Sequence, residues 1–143
     1  MEDYLYYNCS TNACPTKHHI NQPSPTLPKN HTRLVCISDT HNEHENIKLP
    51  AGHLLVHAGD ILTTSGTRYC TRDSEKRITG IDQRGLDLVD NFVQWFVKQP
   101  HPHKVFIGGN HDLVLEGMGA EAVKEKVKNL SKGKAIYLCH ENA

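Results

Sequence analysis

The sequence lacks several features that would assign the protein to a particular class. No apolar run approaches the ~20 residues of a membrane-spanning helix, and the first residues lack the basic and apolar segments of a secretory signal. Sixteen Lys and Arg residues balance sixteen Asp and Glu residues, so there is no surplus of positive charge to neutralise a nucleic-acid backbone. We therefore expect a cytoplasmic protein with no membrane partner and no extended nucleic-acid surface.

The cysteines lack the pairing that would indicate a zinc site or a disulfide framework. The five are scattered, with no Cys-x-x-Cys spacing among them: Cys9, Cys14, Cys36, Cys70 and Cys139. An odd number of scattered cysteines is typical of free thiols in a reducing compartment. Histidine, in contrast, is abundant, with eleven among 143 residues, which favours metal binding or acid–base chemistry.

Residues 1–31 differ in composition from the rest of the chain. They contain four of the seven prolines, many Asn, Ser and Thr residues, and few aliphatic side chains. Such a segment cannot bury enough apolar area to offset the entropy lost on ordering. We expect a flexible leader over 1–31, followed by a single domain over 32–143.

Four short apolar runs predict buried strands of one sheet. They cover residues 34–37, 53–57, 104–107 and 135–138. Two helical patterns carry apolar side chains at spacings of three and four: one over about 86–97, ended by Pro100, and one over 120–130, with Gly133 as a stop. This order indicates an α/β fold on a central sheet. The Thr, Ser, Gly and Arg residues of 61–80 predict a long surface loop.

Polar side chains follow three of the predicted strands. Asp39 and His41 come after the first strand, Asp60 after the second, and Asn110 and His111 after the third. Loops at the carboxyl ends of strands in an open α/β sheet converge on one crevice, so we expect these side chains to meet. Carboxylate, carboxamide and imidazole donors without thiolate suit Mn, Fe or Zn at a hydrolytic site.

The spacing of these residues is compatible with a two-ion site. Asp39 and His41 are two positions apart and can grip one ion, while the Asp60 carboxylate can bridge it to a second ion that takes the amide oxygen of Asn110. Two ions about 3.5–4 Å apart can orient a phosphate and stabilise the leaving oxygen of an in-line displacement. His111 would then point into the cleft as a proton donor or charge stabiliser.

Three strings in this order resemble the first motifs of the calcineurin-like metallophosphoesterases. They read Ile-Ser-Asp-Thr-His-Asn at 37–42, His-Ala-Gly-Asp at 57–60 and Gly-Asn-His-Asp at 109–112, and the first two are similar to the branch called metallophosphoesterase domain-containing proteins. The resemblance spans roughly Arg33 to His140. It implies part of a four-layer α/β/β/α sandwich (the first sheet and its helices), two divalent ions, and hydrolysis of phosphomonoesters or phosphodiesters by a metal-bound hydroxide.

The resemblance also implies a role for each site residue. Asp39 and His41 would bind the first ion, Asp60 would bridge both, Asn110 would bind the second, and His111 would assist the leaving oxygen.

The sequence departs from the family pattern in two respects. Family members supply further histidines downstream, including a Gly-His-x-His motif, and this chain ends at Ala143 without them. We therefore expect the N-terminal part of a metallophosphoesterase domain. Residues 61–64 also stand where many relatives carry an acidic residue that orients the catalytic histidine.

These departures leave two hypotheses open. The first is a metal-dependent hydrolase acting on a small phosphoester substrate. The alternative is a truncated, non-catalytic binding module or an inactive fragment of the same fold. A dinucleotide-binding domain is excluded because no Gly-x-Gly-x-x-Gly follows the first strand. The sequence does not indicate an oligomeric state.

The remaining polar residues are expected to have ordinary structural roles. We expect His53 and His57 to pack on their strand or lie at its edge. Solvent exposure is expected for His44, His101 and His103 and for the loop arginines Arg68, Arg72 and Arg77. His140, after the fourth strand, is not expected to be a ligand.

Overall fold

The computed structural model describes residues 5–6, 16–17, 23–24, 26–63 and 68–139. Near the N-terminus, two short strands pair antiparallel: β1 (Leu5–Tyr6) and β2 (Thr16–Lys17). Most of the predicted leader lies outside the described residues. Its flexibility and its boundary with the domain stay predictions.

Six further strands follow along the chain: β3 (Leu34–Ile37), β4 (Leu54–His57), β5 (Cys70–Arg72), β6 (Ile78–Ile81), β7 (His103–Phe106) and β8 (Ile136–Tyr137). Four of them form a sheet in the order β3-β4-β7-β8, and each neighbouring pair is parallel. The four predicted strands are confirmed, with ends that differ by one or two residues. Because the strands are parallel, their carboxyl ends share one edge of the sheet, called here the carboxyl edge. The opposite edge is the amino edge.

The two predicted helices are also confirmed. They are α1 (Gln83–Lys98) and α3 (Ala120–Ser131), and a short helix that the sequence did not predict, α2 (Leu113–Met118), precedes α3. Asp82 caps α1 by accepting a hydrogen bond from the backbone N–H of Arg84 at 2.8 Å, which satisfies one of the free donors of the first turn. The helix α3 ends where Lys132 and Gly133 take left-handed backbone conformations.

The helices cover one face of the sheet. Phe92 and Phe96 of α1 lie 5.2 and 5.7 Å from the ring of Phe106 on β7, and all three side chains are buried. These aromatic side chains belong to the buried core together with Leu55 on β4. The side chains that alternate with the buried ones point the other way, as expected for strands.

That second face, called here the open face, is apolar but exposed. Leu34 and Ile136 on the outer strands are 53% and 55% exposed. The register of the sheet places Cys36 of β3 beside Val56 of β4, and Val56 beside Val105 of β7. The open face therefore runs as a continuous apolar surface across all four strands.

The predicted surface loop over 61–80 is wrong at residues 61–62, 70–72 and 78–80. Ile61 and Leu62 are buried in the core, and β5 and β6 form an antiparallel hairpin. β-branched residues such as Ile78 favour extended backbone, and the Asp73 carboxylate accepts hydrogen bonds from the backbone of the turn at Glu75 and Arg77. Residues 64–67 lie outside the described part of the chain.

The fold class is α/β with a parallel sheet and helices, as the sequence predicts, and it is compatible with part of the implied sandwich. In the part of the chain that the structure describes, no helix combines the length and the apolar character needed to cross a bilayer.

Candidate metal centre

Three of the predicted ligands meet at the carboxyl edge. Asp39 and His41 follow β3, Asp60 follows β4, and each offers a ligand atom within 4.8 Å of the others. Parallel pairing of β3 with β4 explains this arrangement, because it aligns the ends of the two strands. The sequence prediction that these three side chains converge agrees with the structure.

The two ligand-bearing loops continue the parallel pairing beyond the strands. The backbone N–H groups of the first loop donate to carbonyls of the second: Asp39 to Gly59 at 3.0 Å, His41 to Asp60 at 3.1 Å and Asn42 to Ile61 at 2.8 Å. Neither loop is a regular strand, yet each ligand position in the first has a hydrogen bond to the second. The distance between the ligands is therefore set by backbone as well as by side chains.

The backbone at all three ligands is in the left-handed region. The φ angles are 57° at Asp39, 43° at His41 and 55° at Asp60. Such conformations cost non-glycine residues on the order of 1–3 kcal/mol each and persist where the surroundings enforce them, often at functional sites. The inter-loop hydrogen bonds are the contacts that hold this backbone in place.

The His41 ring has a defined orientation. Its Nδ1 lies 2.8 Å from the backbone carbonyl of Leu62. Because a carbonyl can only accept, Nδ1 must carry the proton, which leaves the Nε2 lone pair free for a metal ion. This arrangement is the common one for a histidine that binds a metal.

The third loop approaches Asp60 closely. The backbone N–H of His111 donates to Asp60 Oδ1 at 3.0 Å, and the His111 ring lies 5.6 Å from that of His41, edge to face. A Cβ atom at Gly109 would collide with the carboxylate and the backbone nitrogen of Asp60, so only glycine allows this approach. Asn110, between these two contacts, is exposed at the same edge. The roles of Asn110 as a ligand and of His111 as a proton donor stay predictions.

Asp112 was given no role by the sequence analysis, yet it joins two of the loops. Its carboxylate accepts from the backbone N–H groups of Gly109 at 2.7 Å, Leu62 at 2.8 Å and Ile61 at 3.2 Å. The side chain is 2% exposed, and burial raises the pKa of its carboxyl, which the three N–H groups oppose. The sequence signal that could have indicated this role is its place as the last residue of the Gly-Asn-His-Asp string at 109–112.

His57 is buried, as predicted for a residue packed on its strand. Burial, with a smaller contribution from nearby His44, lowers the pKa of its imidazole to about 4. The ring is therefore neutral at physiological pH. His53 is exposed beside the start of the same strand, where its Nδ1 accepts from the backbone of Arg33.

The prediction that His44 is exposed is wrong. The side chain is fully buried against Phe92 and Trp95 of α1, with ring centroids 5.4 and 5.2 Å away. Its Nε2 lies 2.7 Å from Oδ1 of Asn91, and burial lowers its pKa. His44 thus attaches the segment after the first ligand loop to α1.

The prediction that His101 is exposed is also wrong. It is 1% exposed at the amino edge, where its Nε2 lies 3.0 Å from the carbonyl oxygen of Pro50. His103 is exposed as predicted, and so are the loop arginines Arg68, Arg72 and Arg77. The described cysteines are free thiols, as predicted: Cys36, Cys70 and Cys139. His140 lies outside the described residues.

The donor set suits a divalent ion. Two carboxylates and an imidazole with its lone pair available are oxygen and nitrogen ligands of the kind used for Mn, Fe and Zn. Asp39 is exposed while His41 and Asp60 are half-buried. The candidate ligands therefore contact the protein on one side and solvent on the other. The arrangement can bind an ion and leave coordination positions for water or substrate.

Comparisons with known proteins give relatives of three kinds, although no protein-family profile matches the chain. The Probable rhamnogalacturonate lyase C of Emericella nidulans is 41% identical over 87 residues, which are 61% of this chain and 6% of that protein. Metallophosphoesterase domain-containing protein 1 of Homo sapiens is 32% identical over 62% of this chain and 22% of its own length. A UPF0046 protein of Caenorhabditis elegans is 35% identical over 66% of this chain and 26% of its own.

The chain thus spans less than a third of the length of these curated relatives. The mouse protein of the same name as the human one matches equally well. Together with the three motifs and the triad at the carboxyl edge, this similarity supports the predicted resemblance to the metallophosphoesterase domain-containing branch.

Proposed function

We propose that the protein is a metal-dependent hydrolase of phosphoesters. The observation that carries this proposal is the triad of Asp39, His41 and Asp60, whose ligand atoms lie within 4.8 Å of one another at the carboxyl edge. The named relatives support a hydrolase of the metallophosphoesterase kind. The free thiols of the described cysteines fit a cytoplasmic location.

Four residues would hold the ions. Asp39 and His41 would bind the first, Asp60 would bridge, and the exposed Asn110 would offer its amide oxygen to the second. When bound, divalent ions such as Mn, Fe or Zn supply Lewis acidity and activate water. Asp60 suits the bridging position because its loop contacts both the His41 loop and the His111 loop.

His111 would act on the substrate rather than on the ions. Its backbone is held by the Asp60 carboxylate, and its ring lies beside that of His41. A phosphoester that entered from the solvent side would meet the imidazole next to the metal ligands. There it can give a proton to the leaving oxygen or stabilise the charge that develops on it.

The test combines metal binding with turnover. The chain is titrated with Mn²⁺ by calorimetry and then assayed on p-nitrophenyl phosphate and bis(p-nitrophenyl) phosphate. Asp60→Asn should lower the metal content and abolish turnover because the bridging charge is lost. The matched control is Asp87→Asn, an exposed carboxylate on α1 that contacts Gln83, which should leave both unchanged.

Two results would contradict the proposal. Full turnover in Asp60→Asn would contradict the two-ion arrangement. Tight binding of Mn²⁺ without hydrolysis of either ester would instead favour the non-catalytic binding module.

A further inference from the structure

A second buried side chain at the carboxyl edge touches both ligand-bearing loops. His57 is the last residue of β4 and is fully buried, with its ring 5.2 Å from that of Phe92 and nearly perpendicular to it. It lies three positions before Asp60, on the helix-covered face. From there it hydrogen-bonds to Gly59 in its own loop and to Thr40 in the first ligand loop.

The two hydrogen bonds define the tautomer of the ring. The backbone N–H of Gly59 lies 3.2 Å from Nδ1 of His57, and because an amide N–H can only donate, Nδ1 must be the acceptor. A neutral imidazole then carries its proton on Nε2, which donates to Oγ1 of Thr40 at 3.0 Å. Each nitrogen of the ring therefore has one partner, and the two partners belong to different loops.

Thr40 is the residue between two ligands. It is buried, unlike Asp39 and His41 on either side of it, and both neighbours have left-handed backbone. In such a loop, side-chain direction depends on the backbone angles of each residue. Because Thr40 is bonded to both of them, a change in its backbone angles would move the donor atoms of Asp39 and His41.

We propose that His57 is a positioning residue of the metal centre. Its ring holds Thr40, and through Thr40 it sets the distance of the Asp39 and His41 donors from Asp60. This inference rests on the proposed metal site but not on its catalytic activity. A His57 that served only to fill the core would need neither hydrogen bond, and a shape-preserving loss of the Thr40 hydroxyl would not affect the metal.

The test uses two substitutions at Thr40 that differ in one group. Thr40→Val keeps the branched shape and removes the hydroxyl, whereas Thr40→Ser keeps the hydroxyl and removes a methyl. Co²⁺ is the probe, because its visible absorption reports the number and arrangement of ligands. Thr40→Val should weaken Co²⁺ binding by about 10–100-fold, the usual effect of losing a partner that orients ligands, and should change the spectrum. Thr40→Ser should keep the Co²⁺ affinity and the spectrum of the unmodified chain.

A double substitution tests whether His57 and Thr40 act together. His57→Gln should weaken Co²⁺ binding. Adding Thr40→Val to that variant should weaken the binding by a smaller factor than Thr40→Val does in the unmodified chain, because the effects of substitutions within one hydrogen-bond network are not additive. The matched control is His101→Gln, at a histidine equally buried at the amino edge. It should lower stability without changing Co²⁺ affinity or spectrum.

A measurement on the unmodified protein keeps the test independent of variant folding. The ¹⁵N chemical shifts of the His57 ring should show a protonated Nε2 and an acceptor Nδ1. The opposite tautomer would overturn the inference, and so would a folded Thr40→Val variant with unchanged Co²⁺ affinity and spectrum. A chain that binds no Co²⁺ overturns both this inference and the proposed site. A chain that binds Co²⁺ with the expected variant effects but hydrolyses no ester supports the positioning role and overturns only the proposed activity.

Discussion

Two buried histidines lie at opposite edges of the same sheet, and they differ in what they connect. His57 and His101 are 0% and 1% exposed, and burial lowers the pKa of both. His57 has a partner on each nitrogen, and both partners lie in ligand-bearing loops. The ring of His101 has one hydrogen bond, to the carbonyl oxygen of Pro50, and its buried Nδ1 has no partner among the described residues. Burial alone therefore does not separate the two histidines, whereas their hydrogen-bond partners place only His57 in contact with the loops of the candidate site.

The edges around these histidines differ in the same way. At the amino edge, the Nζ of buried Lys104 donates to the carbonyl oxygen of His101. A charged side chain there supplies the hydrogen bond of a backbone group outside the candidate site. At the carboxyl edge, the charged side chain of Asp112 also hydrogen-bonds to backbone, as the acceptor of three N–H groups. These three donors belong to loops that carry candidate ligands. We expect changes at the carboxyl edge to affect metal binding or catalysis, and changes at the amino edge to affect stability alone.

The largest expected difference between the edges is in catalysis. In a form that hydrolyses phosphoesters, His111→Ala should keep its metal and lose about 10²–10⁴ in rate, the usual scale of general acid catalysis. His103→Ala, an exposed histidine at the amino edge, should keep the full rate. Steady-state kinetics and metal analysis of both variants check this. Loss of metal from His111→Ala would show that His111 is a ligand instead.

A smaller difference is expected in stability. Asp112→Ala leaves three backbone N–H groups without their acceptor, and each buried orphan costs ~1–3 kcal/mol, so a loss of about 3 kcal/mol or more is expected. Ser131→Ala is the control, because the Ser131 hydroxyl is buried at the end of α3 and has no hydrogen-bond partner among the described residues. It should be nearly neutral. Urea denaturation measures both, and equal losses would show that the three hydrogen bonds of the Asp112 carboxylate contribute no net stability.

The smallest effect is the pH dependence that His57 confers. Its pKa is about 4 in the folded chain and near the ordinary 6.5 when unfolded. The folded state therefore binds fewer protons, and the stabilisation is complete above pH 6.5 and is lost as the pH falls through 4. The shift corresponds to at most about 3 kcal/mol. Asp39 and Asp60 oppose the shift, and His44 adds to it.

Urea denaturation at pH 7 and pH 4, with chelator present, measures this dependence. His57→Gln should lose less stability between the two values than the unmodified chain does. An unchanged pH dependence in that variant would show that other groups, such as His44 or His101, are responsible.

The sequence predicted most of the sheet and its helices because these follow from local patterns. Apolar runs and three-four spacing were sufficient for the four strands β3, β4, β7 and β8 and for the helices α1 and α3. The hairpin over 70–81 was missed because its short strands mix polar and apolar residues without a clear alternation. Its turn also depends on side-chain bonds from Asp73.

The candidate site, like the sheet and its helices, was predicted in part from the sequence. Asp39, His41 and Asp60 could be brought together because residues that follow parallel strands meet at one edge. The burial of His44 could not be predicted, since it depends on aromatic rings about 50 positions later. The role of Asp112 depends on donors about 50 positions earlier. Contacts at such distances along the chain are set by tertiary packing, which the local pattern does not contain.

The open face has a consequence for how the protein behaves in solution. Attraction between apolar surfaces weakens on cooling and strengthens with sulfate, because it originates in the hydration of those surfaces. Molecules that meet through Leu34, Ile136 and their neighbours should therefore separate in the cold and associate on warming or when sulfate is added. Cys36 lies within this face, and partial desolvation by its neighbours raises the pKa of its thiol. Its alkylation should slow further whenever the surfaces are in contact, which would make this cysteine a natural reporter of self-association.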